Sequence, residues 1–436
     1  MTHSEERYDL VGIGFGPANL SVAIALEETI SAEKPMRTCF LERKPAFEWH
    51  GDMLLDGTRM QISYMKDLAT LRNPTSAFSF TNYLFTQGRL NAFINMGTSQ
   101  PTRLEFNDYL QWAASRIKTK VHYGNEVSAI EPVIDEDGID WVRISATDTQ
   151  GNITTRLARN IIIAPGGLPK LPHAFDEIEG VKNIPSITHS SRYKTWRNEF
   201  ARKATNPRIG IIGAGQSAAE IFVDLVGYHP DGEIEIINRE RSIHPADDSP
   251  FVNEVFDPGF TTEMYTSSDQ TRQNLLQRFQ GTNYAVVDMP EINSIYETLY
   301  TQRITGKGAH KHRSAHEIKK VELNEDQSWT LTMQDGLNRE AQSWRYDGIV
   351  LATGYQYGQH FTMLKQLDQW RDTNNPVERH YRLPMQDNFK VNIYLQGCNE
   401  SSHGLSDTLL SVMAVRAEEI VTDLFNKVNE SQQVSA

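Results

Sequence analysis

Tyr8-Asp9-Leu10-Val11-Gly12-Ile13-Gly14-Phe15-Gly16-Pro17-Ala18-Asn19-Leu20 is the stretch whose reading decides the fold. Tyr8 to Ile13 reads as a short buried strand, Gly12, Gly14 and Gly16 as a tight loop, and Leu20 to Leu26 as an apolar-periodic helix. A second apolar run, Thr38 to Leu41, ends in Glu42 and completes a βαβ unit with an acid at the carboxyl end of its second strand. Glycine lets backbone amides approach a pyrophosphate, and the dipole of the following helix attracts the same anion. Pro17 stands where G-x-G-x-x-G has its third glycine. Proline suits a first helical turn, where its missing N–H leaves no bond unmade. A carboxylate placed like Glu42 accepts hydrogen bonds from ribose hydroxyls.

The unit recurs. Arg208 to Ile212 reads as a strand, Gly213-Ala214-Gly215-Gln216-Ser217-Ala218 as a G-x-G-x-x-A loop, Ala218 to Val226 as a helix and Glu233 to Ile237 as the next strand. No acid ends that strand; the chain reads Asn238-Arg239-Glu240-Arg241. A guanidinium there pairs with a 2′-phosphate where a carboxylate would repel it, which favours NADPH over NADH. Taken singly, either arginine is equally readable as a solvated surface charge. Two dinucleotide folds call for two dinucleotides, and the economical assignment is FAD at the first and NADPH at the second. The late strand Gly348 to Ala352, running into Thr353-Gly354-Tyr355, has a pattern common in flavoproteins of double fold.

These readings predict an α/β protein with two Rossmann-like dinucleotide-binding domains and a smaller, mostly helical substrate-binding region. Residues 1–205 and 345–436 are assigned to a discontinuous FAD domain, 206–258 and 310–344 to the NADPH domain, and 259–309 to the helical region. Arg103 to Ile117 reads as an amphipathic helix, Asn160 to Ala164 as a strand, and His244 to Pro258 as a Pro- and Asp-rich loop. The last helix is expected over about Leu409 to Asn426, with a disordered tail from Asn429.

The 436 residues leave room for two or three domains. With 56 acidic against 43 basic side chains, a net charge of −13, the chain lacks the basic footprint of a nucleic-acid partner. Its two cysteines, Cys39 and Cys398, are far apart and read as buried thiols. They form neither a disulfide framework nor a C-x-x-C pair, so a thiol–disulfide reductase is excluded and the electrons go elsewhere. The apolar stretch Val11 to Leu26 carries glycines, Pro17 and Asn19 and no signal-peptide flanks; no integral membrane segment is expected, and cytoplasm is the simplest home. No metal site is expected.

Longer ordered motifs narrow the reading. They include Phe47-Glu48-Trp49-His50, Met60 to Leu68 (MQISYMKDL), Arg72 to Ser76 (RNPTS), Glu105 to Leu110 (EFNDYL), Gly213 to Glu220, Pro245 to Glu254 (PADDSPFVNE), Thr282-Asn283-Tyr284 and His403 to Ser411 (HGLSDTLLS). Together they resemble the flavin-dependent N-hydroxylating monooxygenases of hydroxamate siderophore biosynthesis, which act on ornithine, lysine or related diamines, and they look closest to the ornithine branch. The resemblance implies FAD contacts from Gly12, Gly14, Gly16, Pro17, the Glu42 to His50 segment with Trp49 and His50, Gln61, and the Thr408 to Leu410 turn. It implies NADPH contacts from Gly213, Gly215, Gln216, Ser217, Arg239 and the Asn283-Tyr284 step, with Asn238 and Arg241 matched less clearly. Lys66, Asn253, Asn283 and Ser411 would meet the substrate, Lys66 and Asn283 nearest the chemistry. A homo-oligomer, a tetramer, is implied as well.

The chemistry so implied is transfer of oxygen from dioxygen to a small amine by a C4a-hydroperoxyflavin formed on NADPH-reduced FAD, with the protein positioning and shielding the reaction. The cation Lys66 suits the carboxylate of ornithine or lysine, while putrescine and cadaverine remain open. Each residue also has a plainer reading: Lys66 as a stem over apolar surface, Asn253 and Asn283 as turn caps, Ser411 as a helix-start hydroxyl. A ketone or sulfide monooxygenase, suggested by the His189 and Tyr193 spacing, and a non-catalytic nucleotide sensor are the competing functions.

Overall fold

The computed structural model describes residues 5–29, 36–136, 138–336, 340–373 and 376–434. The apolar runs of the first unit form a five-stranded parallel sheet in the order Asn392–Leu395, Asn160–Ile163, Leu10–Ile13, Thr38–Glu42, Lys120–Tyr123. Runs such as Asn-Ile-Ile-Ile are apolar at successive positions because both faces of a parallel sheet are covered. One face packs on helix Pro17–Thr29, whose residues Leu20 to Leu26 are buried, and on the last helix, Met413–Val434. The other faces a four-stranded sheet in the order Glu6–Tyr8, Ile153–Ala158, Gly138–Asp148, Asn125–Asp135.

The single strand expected over Tyr8 to Ile13 is therefore two. Glu6–Tyr8 pairs with Arg156 to Ala158 in the outer sheet, and Leu10–Ile13 pairs inside the parallel sheet. Asp9 makes the break: its carboxylate accepts the Arg37 amide at 2.8 Å and its own N–H donates to the Arg37 carbonyl at 2.9 Å.

The second unit repeats the layers. Its parallel sheet runs Ile187–His189, Gly348–Leu351, Arg208–Ile212, Glu233–Ile237, Lys311–Arg313. Helices Gln216–Tyr228 and Met289–Thr305 cover one face, and the antiparallel strands His316–Leu323, Trp329–Asp335 and Ala341–Tyr346 cover the other.

This pairing corrects the sequence boundaries at three places. Ile187–His189 and Gly348–Leu351, both expected in the first unit, lie in the second sheet. Gly348 is needed there, because a Cβ would stand 2.9 Å from the Phe200 ring and 3.0 Å from Trp196. Helix Met289–Thr305, expected in the substrate region, packs Ile295 into the second core beside Phe222. The chain returns to the first sheet through Asn392–Leu395, which pairs with Asn160–Ile163.

Smaller corrections follow from local chemistry. Helix Met413–Val434 runs through the segment expected to be disordered, which has no glycine or proline to stop it and a Lys427–Glu430 pair at 2.9 Å on its surface; Ser435 and Ala436 lie outside the described residues. The loop over His244 to Pro258 contains the short helix Pro250–Asn253. Cys39 is buried, but Cys398, past the end of its strand, is only half-buried.

Candidate functional site

Each glycine turn sits at the carboxyl end of its sheet, against the segment that crosses to the other unit. Gly14 has φ +80, and a Cβ there would lie 2.4 Å from the Ala164 carbonyl oxygen. Gly213 has φ +149, and its Cβ would lie 2.3 Å from the Ala352 carbonyl oxygen. Only glycine combines such φ values with backbone at this distance. The crossing segments pair as a two-stranded antiparallel ribbon, Leu168–Pro169 with Tyr355–Gln356, so both loops open beside one hinge.

The first loop is braced for a ligand. Asn19, fully buried, donates to the carbonyls of Ile13 at 3.2 Å and Gly14 at 2.6 Å and accepts from Gln396 at 2.9 Å. Glu42 accepts the Phe15 amide at 2.6 Å with one oxygen and the Lys44 amide at 2.9 Å with the other. An ionised carboxylate has about four lone-pair sites, so capacity for ribose hydroxyls remains. Pro17 opens the helix, no acid lies in its first turn, and nothing stands within 4 Å of a Cβ built on Gly16. A helix N-terminus with no acid in its own first turn, facing open space, fits a pyrophosphate. Trp49 donates its amide to Asn107 at 3.1 Å and packs edge-on to Phe106. His50 (φ 47) is exposed, and its ring centre lies 5.9 Å from that of Tyr355.

The second loop has the same character. Gly215 precedes helix Gln216–Tyr228 without capping it through a side chain, and no acid lies in the first turn, which includes Ser217. Arg239 is exposed past the end of Glu233–Ile237, in a depression it shares with Ala315, Glu317 and Gly336. Arg241 instead donates to Ser314 at 3.0 Å, and Asn238 bonds His312 at 2.8 Å, so the structure gives these two local partners.

Between the loops the units touch through polar side chains. Gln61 donates to Asp288 at 2.9 Å, the Asp288 amide donates to Gln216 at 2.9 Å, and Gln216 donates to Glu220 at 3.0 Å. Five positions after Gln61, Lys66 pairs with Asp257 at 3.4 Å. Asp257 ends the turn that carries Asn253 and starts helix Pro258–Thr266. Asn253 is exposed and donates to the Asp248 carbonyl at 2.8 Å, the turn-capping bond. Asn283 is half-buried just before Tyr284, whose hydroxyl donates to Glu400 at 2.5 Å beside Thr408. Burial raises both the Tyr284 phenol and the Glu400 carboxyl from their ordinary pKa values. Leu410 packs on the first core, and the Ser411 hydroxyl is buried without a hydrogen-bond partner. Among the described residues the Ser411 hydroxyl caps no helix start, and it has capacity for a further hydrogen bond.

The structure thus brings Gln61 and Gln216 to one contact and Tyr284 to the Thr408 turn. Among the described residues, no hydrogen bond joins Lys66, Asn253, Asn283 and Ser411 to one another. Sequence reasoning overlooked Asp257, Asp288 and Glu400, isolated acids whose importance lies only in what they meet. His189 and Tyr193 prove to be structural. The His189 ring bonds the Gly354 carbonyl at 3.0 Å and accepts the Ser191 amide at 3.1 Å, while the Tyr193 hydroxyl donates to Asp224.

Two Rossmann-like units with their glycine turns at one hinge define a class of protein built to hold two dinucleotides against each other. The family model described as L-lysine 6-monooxygenase/L-ornithine 5-monooxygenase matches residues 6–357. L-ornithine N(5)-monooxygenase of Burkholderia cepacia is 42% identical over 409 residues, 92% of this chain and 90% of that protein. Ornithine hydroxylase PvdA from Pseudomonas aeruginosa has a TM-score of 0.91 at 39% identity, covering 97% of this chain and 100% of that one. Kutzneria sp. 744 ornithine N-hydroxylase KtzI, described with reduced FAD, NADP⁺ and L-ornithine, has a TM-score of 0.90 at 34% identity, over 97% and 99% of the two chains. The chain belongs to the L-lysine 6-monooxygenase/L-ornithine 5-monooxygenase family, the group its motifs resemble.

Proposed function

We propose that this protein uses FAD, NADPH and dioxygen to hydroxylate the terminal primary amine of ornithine, as a step toward a hydroxamate siderophore. The net change consumes NADPH, a proton, dioxygen and the amine and yields NADP⁺, water and the hydroxylamine. The observation that supports the reading is the contact Gln61–Asp288–Gln216, which joins the second glycine loop to the segment of the first unit that carries Lys66. Bound at the first loop and reduced by NADPH, FAD supplies dioxygen in an activated form; the chain supplies the rest.

Gly12, Gly14, Gly16 and Pro17 receive the pyrophosphate, Glu42 the ribose, and Trp49, His50, Gln61 and the Thr408 to Leu410 turn surround the flavin. Gly213, Gly215, Gln216 and Ser217 receive NADPH, with Arg239 on its 2′-phosphate and Tyr284 beside it. Lys66 exchanges Asp257 for the substrate carboxylate. The amide oxygens of Asn253 and Asn283 orient the amine, and Ser411 gains the partner it lacks. An alkylamine has an ordinary pKa of about 10.4, so only its minor neutral form is nucleophilic near neutral pH. Neutral acceptors orient that form without stabilising the ammonium as a carboxylate would. Closure around the amine excludes water, which protects activated oxygen from release as hydrogen peroxide.

NADPH oxidation and hydroxylamine formation, measured side by side with ornithine, lysine, putrescine and cadaverine, test the proposal. Ornithine should give the highest kcat/KM; a preference for either diamine removes the carboxylate-pairing role of Lys66. Arg239→Ala should raise KM for NADPH by about 10-fold, the loss of one charge-assisted contact, and leave KM for NADH unchanged. Equal effects on both cofactors would return Arg239 to the solvated surface.

A further inference from the structure

The polar chain between the units has a centre that the cofactor and substrate contacts do not use. Glu220 lies on helix Gln216–Tyr228, one turn beyond the second glycine loop, and is 3% exposed. One of its oxygens accepts from Gln216 at 3.0 Å and the other accepts from Arg103 of the first unit at 2.9 Å. Arg103 is itself fixed, its amide donating to the Thr58 carbonyl at 3.0 Å and its Nε to the Arg59 carbonyl at 3.2 Å. On the far side, the Gln216 side-chain oxygen Oε1 accepts the backbone amide of Asp288, which starts helix Met289–Thr305. An Asp in that position ordinarily caps its own helix. Asp288 does not; its carboxylate accepts from Gln61 instead, back on the first unit.

The circuit Arg103–Glu220–Gln216–Asp288–Gln61 leaves the first unit and returns to it, and its middle residue belongs to the nucleotide loop. We infer that Glu220 is a positioning residue for NADPH: its two carboxyl oxygens set the second nucleotide loop at a fixed distance and angle from the flavin side, through Gln216 on one oxygen and Arg103 on the other. This role rests on the proposed NADPH reading of that loop. An amide cannot replace the carboxyl, because a glutamine at this site turns an NH₂ toward either the Arg103 guanidinium or the Gln216 NH₂, donor against donor.

The charges facing Glu220 are Arg103 from the first unit and Asp288 and Glu291 from helix Met289–Thr305, with the uncharged Gln216 on its own helix. Burial, aided by the two acids, raises its carboxyl from 4.5 to about 7 against the opposing pull of Arg103. The ion pair with Arg103 therefore forms as pH rises through neutrality, and the grip on the loop should tighten over the same range. The sign for stability is the reverse. Between about 4.5 and 7 the folded chain holds a proton that the unfolded chain has released, so this group's contribution falls as pH rises through that window.

The test is titration of the flavin-loaded protein with NADP⁺, followed by the flavin spectrum at pH 6, 7 and 8. In the wild-type protein affinity should increase with pH. Glu220→Gln should keep its flavin, bind NADP⁺ about 10-fold more weakly than wild type at pH 8, and lose the pH dependence, since a charge-assisted bond is absent at every pH. If Glu220→Gln does not fold, Arg103→Gln opens the same circuit at a residue outside the cofactor contacts, and should likewise bind NADP⁺ about 10-fold more weakly at pH 8. Wild-type affinity and pH dependence in Glu220→Gln, or wild-type affinity in Arg103→Gln, overturns the positioning role while the cofactor assignment stands. A wild-type protein with no affinity for NADP⁺ overturns the nucleotide reading of the loop, and this role with it.

Discussion

Lys66→Ala should weaken ornithine binding by about 2–5 kcal/mol, roughly 30- to several-thousand-fold, the cost of leaving a carboxylate in the site without its cation. The Lys66 side chain is 24% exposed, so solvent offsets part of the loss and the lower end of that range is expected. NADPH oxidation should continue in the variant and end in hydrogen peroxide, because the role proposed for Lys66 is at the substrate's far end rather than at either nucleotide loop. Its resting partner sharpens the test. Asp257 now holds the ammonium at 3.4 Å, so Asp257→Asn frees Lys66 and should leave ornithine affinity unchanged or improved. Parallel losses in both variants would mean that the Lys66–Asp257 pair only holds the turn in place. Saturation curves for ornithine, with peroxide measured alongside, distinguish these outcomes.

Gly14 and Gly16 should separate folding from cofactor binding. Gly14→Ala places a Cβ in the left-handed region and 2.4 Å from a backbone oxygen. That strain, of order 1–3 kcal/mol before the clash is relieved, should lower the melting temperature and abolish flavin retention together. At Gly16 a Cβ meets no atom of the described residues within 4 Å, and its φ is not in the left-handed region. Gly16→Val should therefore leave the melting temperature of the flavin-free protein nearly unchanged while flavin content falls steeply, because the added bulk occupies the space assigned to the pyrophosphate. Undiminished flavin in Gly16→Val would place the dinucleotide elsewhere. Flavin absorbance per chain and thermal melts of flavin-free samples give both quantities.

These experiments probe the parts of the site that local sequence already specified. Gly14, Gly213, Pro17 and Glu42 announce themselves because each is demanded by a conformation or a position within a few residues of itself. What was illegible depended on distant partners. The Gly348–Leu351 run and the Asn160–Ile163 run are both short, apolar and fit for any parallel sheet; it is the pairing of the former with Ile187–His189 and Arg208–Ile212, strands distant in sequence, that puts it in the second sheet. Tyr8 to Ile13 is one apolar run in sequence and two strands in space, because Asp9 finds Arg37. The antiparallel sheets that cover each unit left no motif, since alternating half-buried strands differ little from ordinary surface sequence. Asp257, Asp288 and Glu220 are common acids whose meaning comes from Lys66, Gln61 and Arg103, residues brought near by the docking of the two units.

Oxygen transfer from dioxygen to the terminal nitrogen of ornithine, driven by NADPH on an FAD-bearing chain, is open to a single turnover experiment with isotopically labelled dioxygen. Protein loaded with FAD is reduced with NADPH in the absence of oxygen, mixed with ornithine and labelled dioxygen, and the product analysed by mass spectrometry. The expected product is ornithine carrying a single labelled oxygen on its terminal nitrogen, in amounts matching the NADPH consumed. Unlabelled ornithine recovered intact, with labelled hydrogen peroxide accounting for all the NADPH, would contradict it.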